Sequence, residues 1–185
     1  MITTDISELQ NRIDTKLLLQ IKNADHSLLD IYNGKNSILY PITYSNTKDA
    51  FQISAWAQLS YSKPTYGIVA HYQLENVLLN PHDINPTKFL KLPMIDSDRP
   101  LFMAQISSRY PEHQHQGITF KLIKEAFIQL EKRKPCLHVV ALTRGAVKNW
   151  RNEYLNQGYV YANYTHPELR PESLELSTWL YRLYK

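Results

Sequence analysis

The stretch from residue 101 to residue 143 constrains the fold more than any other. Leu101 to Arg109 reads as a strand, and Pro111 stops it. From Gln116 to Arg133 the residues Ile118, Leu122, Ile123, Ala126, Phe127 and Leu130 recur at helical spacing, which predicts an amphipathic helix with one apolar stripe. Pro135 ends that helix. Leu137 to Thr143 is a short, nearly continuous apolar run, the pattern of a strand buried on both faces. A further helix fits Ala146 to Asn156, with Gly158 as its left-handed cap, and strands over Tyr159–Tyr164 and Leu174–Tyr184 finish the chain. Strand, helix, strand, helix, strand, strand is the order of an α/β domain with a mixed sheet.

The first hundred residues are less regular. Ile6, Leu9, Ile13, Leu17 and Ile21 predict one helix over 5–22, with Asp5 as N-cap and Glu8 completing a capping box. A short apolar run from Leu28 to Tyr32 precedes a turn at Asn33-Gly34-Lys35-Asn36. Strands at 37–44 and 51–61 flank the polar segment Ser45–Asp49 and predict a hairpin. In the second strand Phe51, Ile53, Ala55, Ala57 and Leu59 alternate with Gln52, Ser54, Trp56 and Gln58, which assigns one face to a core. Residues 65–79 mix a strand-like run, Tyr66 to Tyr72, with a short helix-like end. Pro81, Pro86, Pro93 and Pro100 mark 80–100 as a long loop.

Size and composition narrow the class. The chain has 185 residues, enough for one domain, and we expect a single domain over 1–185. No apolar run approaches the ~20 residues of a membrane helix, and Met1–Asp5 lacks the features of a secretory signal, so a cytoplasmic location and no membrane partner are expected. The lone cysteine, Cys136, leaves no internal disulfide framework. Lysine and arginine number 21 against 17 aspartates and glutamates, a modest excess. It suits an anionic partner without identifying one. The densest cluster, Lys132-Arg133-Lys134, reads as a solvated helix end, so there is no strong nucleic-acid signal.

The most informative loop is Tyr110-Pro111-Glu112-His113-Gln114-His115-Gln116-Gly117-Ile118-Thr119. It joins a strand to an amphipathic helix, so backbone N–H groups with positive partial charge gather at the helix start and suit a phosphate. Gly117 permits close backbone approach. An ordinary strand-to-helix turn has the same outline.

Residues 101–160 resemble the Gcn5-related N-acetyltransferase superfamily, the acetyl-CoA-dependent acyltransferases. The fingerprint of that superfamily is Gln or Arg, two residues, Gly, one residue, then Gly or Ala, directly after the fourth strand. Gln114-His115-Gln116-Gly117-Ile118-Thr119 matches it at Gln114 and Gly117 and departs at Thr119. Pro111 falls where the family often has proline. Downstream, Tyr154-Leu155-Asn156-Gln157-Gly158-Tyr159 matches the family's helix-terminal Tyr, then Gly and an aromatic residue. One helix and one strand separate the two motifs, as in the family. A six-residue segment, Ala55 to Ser60, is also similar to a strand of the toxin-activating lysine acyltransferases, a divergent branch of the same fold.

The resemblance implies a GNAT-like fold, a mixed, mostly antiparallel central sheet flanked by helices, and transfer of an acetyl or other acyl group from acyl-CoA to an amine. It implies that amides of Gln114, His115, Gln116, Gly117, Ile118 and Thr119 bind the CoA pyrophosphate. Ile106, Ser107 and Ser108 would pair with the pantetheine arm as an added strand. Lys121 and Lys124 would face the adenosine phosphate or simply be solvated. Tyr154 would protonate the departing thiolate, since a phenol of pKa ~10 is a suitable acid for it.

Other candidates carry less. No general base is assigned: His138, His71 and Glu75 read as structural or exposed. His113 and His115 do not make a metal site without further ligands, and none is expected. Cys136 has no activating neighbours in sequence and reads as an inert thiol. A catalytically inactive module of the same fold, binding a protein or nucleic acid, remains the alternative. The amine acceptor and self-association as a homodimer stay open.

Overall fold

The computed structural model describes residues 6–47, 50–60, 65–79, 85–93, 99–108, 110–166 and 178–185. These residues form an α/β structure with four helices and an eight-stranded, mostly antiparallel sheet. The chain divides into two compact units. The first comprises Met1–Gln73 and Ile106–Phe127, the second Leu74–Gln105 and Ile128–Lys185.

In the first unit the single N-terminal helix expected over 5–22 is two helices, α1 (Ile6–Gln10) and α2 (Thr15–Asn23). The break has a local cause. Asp14 leaves helical geometry and its carboxylate accepts from the Lys16 amide at 2.8 Å, which starts a new helix in the middle of the apolar pattern. The stripe survives the break, because Ile13, Leu17 and Ile21 are buried together with Ile31 and Trp56. Asp5, the expected cap, lies outside the described residues.

Strand β1 (Ser27–Asn33) pairs antiparallel with β2 (Leu39–Asn46), which pairs antiparallel with β3 (Ala50–Ser60). Gly34 and Ser37 close the first connection, the Ser37 amide donating to the Gly34 carbonyl at 2.9 Å. The Thr47 amide donates to the Ala50 carbonyl at 2.8 Å and closes the second. The expected one-sided alternation in β3 is corrected. Phe51 and Ile53 are buried while Gln52 is only half-buried, but from Ile53 to Ala57 every residue is buried. Trp56 belongs to the cluster that also holds Ile13, Leu17 and Ile21, so an apolar core covers the face that was expected to be polar. Strand β4 (Thr65–Asn76) is longer than expected, and the helix-like end of that segment is a turn over 77–79.

Strand β5 (Leu101–Ser108) leads through a 3-10 turn, Pro111–His113, into α3 (Ile118–Glu131). All six residues of the expected stripe on α3 are buried. Each large one contributes roughly 1.5–3 kcal/mol of transfer free energy, which is why this helix is legible in the sequence. Strand β6 (Cys136–Leu142) follows and is buried along nearly its whole length. It pairs parallel with β5, Leu101, Phe102 and Met103 opposite Leu137, His138 and Val139. Ala104 and Gln105 extend beyond this paired stretch.

Helix α4 (Arg144–Asn156) ends in a Schellman arrangement: Gly158 is at φ +81°, its amide donates to the Leu155 carbonyl, and the Tyr159 amide donates to the Tyr154 carbonyl at 3.1 Å. The strand expected over Tyr159–Tyr164 shrinks to β7 (Val160–Tyr161) with an isolated bridge from Tyr164 to Leu90. Strand β8 (Thr178–Tyr184) runs antiparallel to both β6 and β7. The strand order is β1-β2-β3-β4-β5-β6-β8-β7.

Candidate functional site

The loop between β5 and α3 lies in the first unit, as do Ile106, Ser107 and Ser108 at the end of β5. Ile106 and Ser107 are half-buried and Ser108 is exposed. His113 anchors the loop. It is buried at 3% exposure, and both ring nitrogens are engaged. Nε2 lies 3.1 Å from the Gln58 carbonyl, which can only accept, so Nε2 carries the proton. Nδ1 therefore accepts from the Tyr40 hydroxyl at 3.0 Å, and that hydroxyl receives the Asn36 side-chain amide at 3.1 Å. His113 is a structural wedge with no lone pair left for a metal. Among the described residues, no group of three or more His, Cys, Asp or Glu side chains is arranged to hold a metal ion.

Beyond His113 the backbone takes two left-handed residues, His115 at φ +60° and Gly117 at φ +83°. The Gln114 amide donates to the Pro111 carbonyl at 3.1 Å. The amides of His115, Gln116, Gly117, Ile118 and Thr119 donate to no other described residue. Gln114 and His115 are exposed, and Gln116, Gly117 and Thr119 are half-buried. Five consecutive free donors at the start of a fourteen-residue helix form a concentrated patch of positive partial charge.

Two carbonyls of the same loop are held, one from the β1–β2 hairpin and one by a loop side chain that is itself tied to the hairpin. The Tyr32 hydroxyl donates to the Gln116 carbonyl at 2.9 Å. The Gln116 side chain accepts from the Asn36 amide at 2.9 Å and donates to the Gln114 carbonyl at 3.1 Å. Gly117 has its own reason to be glycine: a Cβ there would sit 2.6 Å from the Tyr32 hydroxyl oxygen.

Neither expected lysine is a free cation beside the loop. Lys121 lies 2.5 Å from Asp30 and 2.7 Å from Glu125. Partial burial pulls its pKa down, but the hydrogen bonds and charges of those two carboxylates outweigh it and the net shift is upward. The Lys124 ammonium rests 4.8 Å from the centre of the Phe120 ring.

Tyr154 belongs to the second unit and is fully buried. Its ring meets Tyr159 edge-on, with centroids 5.0 Å apart. The Tyr159 hydroxyl in turn lies 2.5 Å from His138 Nδ1 and 2.9 Å from the Tyr184 hydroxyl. Burial pushes His138 down to about 3, and burial pushes Tyr184 up to about 12 against the opposing pull of its hydrogen bond with Tyr159. His138 is thus a neutral core histidine. Cys136, on the same strand, is buried and its thiol is pushed up to about 11.

One polar cluster was not anticipated. His26 Nδ1 lies 2.8 Å from the Thr43 hydroxyl, which receives the Trp56 indole N–H at 2.8 Å, and the His26 and Trp56 rings meet edge-on. His26 is half-buried, and that burial lowers its pKa, only partly opposed by Asp25. Its partners come from strands whose register a single sequence does not state. No protein-family model matches the chain, and no curated protein matches it.

Proposed function

We propose that this protein transfers an acetyl or related acyl group from acyl-CoA to an amine. The observation that carries the reading is the run of five free amides, His115 to Thr119, on the loop whose Gln114 and Gly117 match the N-acetyltransferase fingerprint. Those donors suit the CoA pyrophosphate, whose charge they meet with oriented N–H groups at a helix start. The element order adds support: the fingerprint lies between β5 and α3, and α3 and β6 intervene before the helix that carries Tyr154, the spacing that the resemblance implies.

In this reading Ile106–Ser108 offer backbone groups to the pantetheine arm. The amine nitrogen attacks the thioester carbonyl, the C–S bond breaks, and CoA leaves as a thiolate. Tyr154, the acid that the resemblance implies, supplies the proton that turns the thiolate into a thiol, and the proton lost by the attacking amine returns through solvent to restore the phenol. Direct attack needs no covalent enzyme intermediate, in keeping with an inert Cys136. Thr119 places a β-branched side chain in the last fingerprint position, where its hydroxyl can add a donor beside the free amides.

Calorimetric titration with acetyl-CoA tests the first half of this reading, and a free-thiol assay across small amines, peptides with free N-termini and lysine-containing peptides tests the second. Absence of acetyl-CoA binding overturns it. Binding without release of thiol to any amine favours the alternative, a module that keeps the fold without the chemistry.

A further inference from the structure

We propose that Tyr32 and the Gln116 side chain are positioning residues that aim the loop's amides at the phosphates of the acyl donor; this rests on the acyl-CoA reading above. In a trans peptide unit the carbonyl and the N–H point in opposite directions, so a hydrogen bond to the oxygen also fixes the donor on the other side. The Tyr32 hydroxyl holds the Gln116 carbonyl at 2.9 Å, and the Gly117 amide, on the far side of that peptide plane, has no partner. The Gln116 side chain holds the Gln114 carbonyl at 3.1 Å, and the His115 amide on the far side of that plane likewise has none. Two carbonyls are therefore held, one by the hairpin and one by the Gln116 side chain, and the amide on the far side of each peptide plane is left free.

The arrangement is reinforced at each end. The Asn36 amide donates to Gln116 Oε1, which leaves the Gln116 Nε2 group to donate to the Gln114 carbonyl and fixes the orientation of that side-chain amide. His115 is a non-glycine residue at φ +60°, a conformation that costs energy unless its surroundings impose it. The 2.6 Å approach of the Tyr32 oxygen to the Cβ position of Gly117 leaves the peptide no room to flip with a larger residue in place. A loop aimed in advance does not pay for reorientation when the anion arrives, which is how preorganised donors gain affinity.

The test compares the wild-type chain with Tyr32→Phe and, separately, Gln116→Met, using acetyl-CoA as ligand and amide NMR together with calorimetry as readouts. Wild-type His115 and Gly117 amide signals should shift on titration. Tyr32→Phe should weaken acetyl-CoA binding by about tenfold, the worth of one well-placed hydrogen bond, and reduce the ligand-induced shift at Gly117 more than at Ile118. Gln116→Met should do the same at His115, and it carries the test should Tyr32→Phe fail to fold. Acetyl-CoA binding by the wild type that leaves both amides unmoved, or undiminished affinity in either folded variant, overturns the positioning role and leaves the acyl-CoA reading standing. Absence of wild-type binding overturns the acyl-CoA reading and the positioning role with it.

Discussion

The Tyr159 hydroxyl lies 2.5 Å from Nδ1 of His138, and neither residue is more than 2% exposed. A buried imidazole in this position keeps its neutral form, and its pKa falls to about 3. The unfolded chain has an ordinary histidine near 6.5 and binds a proton there. Between about 6.5 and 3 the unfolded state therefore holds one more proton at this site, and stability falls as pH falls, with a limiting slope of about 1.4 kcal/mol per pH unit. Urea denaturation at a series of pH values should show a steeper acid-side loss in the wild type than in His138→Gln. Parallel curves would mean that His138 titrates normally in the fold.

Tyr154→Phe keeps the buried ring and its edge contact with Tyr159 but removes the phenolic proton. With an identified acceptor, kcat should fall by about 10²-fold, the usual worth of a general acid, while acetyl-CoA affinity stays near that of the wild type. An unchanged kcat would make Tyr154 a packing residue.

Gly117→Ala should destabilise the chain through two effects that a double-mutant cycle can separate. The left-handed φ of +83° costs an alanine about 1 kcal/mol, and the methyl group would meet the Tyr32 oxygen at 2.6 Å. Tyr32→Phe removes that oxygen and leaves the ring carbon that bore it 3.6 Å away, an ordinary contact. Gly117→Ala should therefore cost less in the Tyr32→Phe background than in the wild type. Equal costs in guanidinium denaturation would show that the loop moves away from Tyr32 on its own.

Cys136 should resist a disulfide exchange reagent at neutral pH in the folded chain and react fully in strong denaturant. Its thiol is buried and pushed up to about 11, so little thiolate exists to react. Rapid modification of the native chain would contradict that burial.

Lys121→Met should shift the stability of the first unit without changing acetyl-CoA affinity, because its ammonium is committed to Asp30 and Glu125. The loss should be about 1 kcal/mol, since the side chains are only partly buried. Thermal unfolding and calorimetry on the same sample check both halves; a marked loss of acetyl-CoA affinity would return Lys121 to the phosphate site.

Sequence periodicity alone determined the elements whose burial is strong and local. The stripe on α3, the apolar run of β6 and the glycine that closes α4 each follow from residues within one element, because a helix or strand must hide its apolar face wherever it docks. The loop between β5 and α3 was legible for the same reason: Pro111 marks a strand stopping, and Gly117 stands just before the apolar stripe of the next helix begins. What only the tertiary structure decided depends on contacts far apart in the chain. Asp14 caps a second helix inside an unbroken apolar pattern. Trp56 is buried because a cluster containing α2 side chains encloses it. His113 is a wedge because Tyr40 and Gln58 take its nitrogens, and Tyr32 reaches Gln116 across 84 positions of sequence. Such pairings carry no local signature, since a hydrogen bond between distant residues depends on strand register and not on the neighbours of either partner.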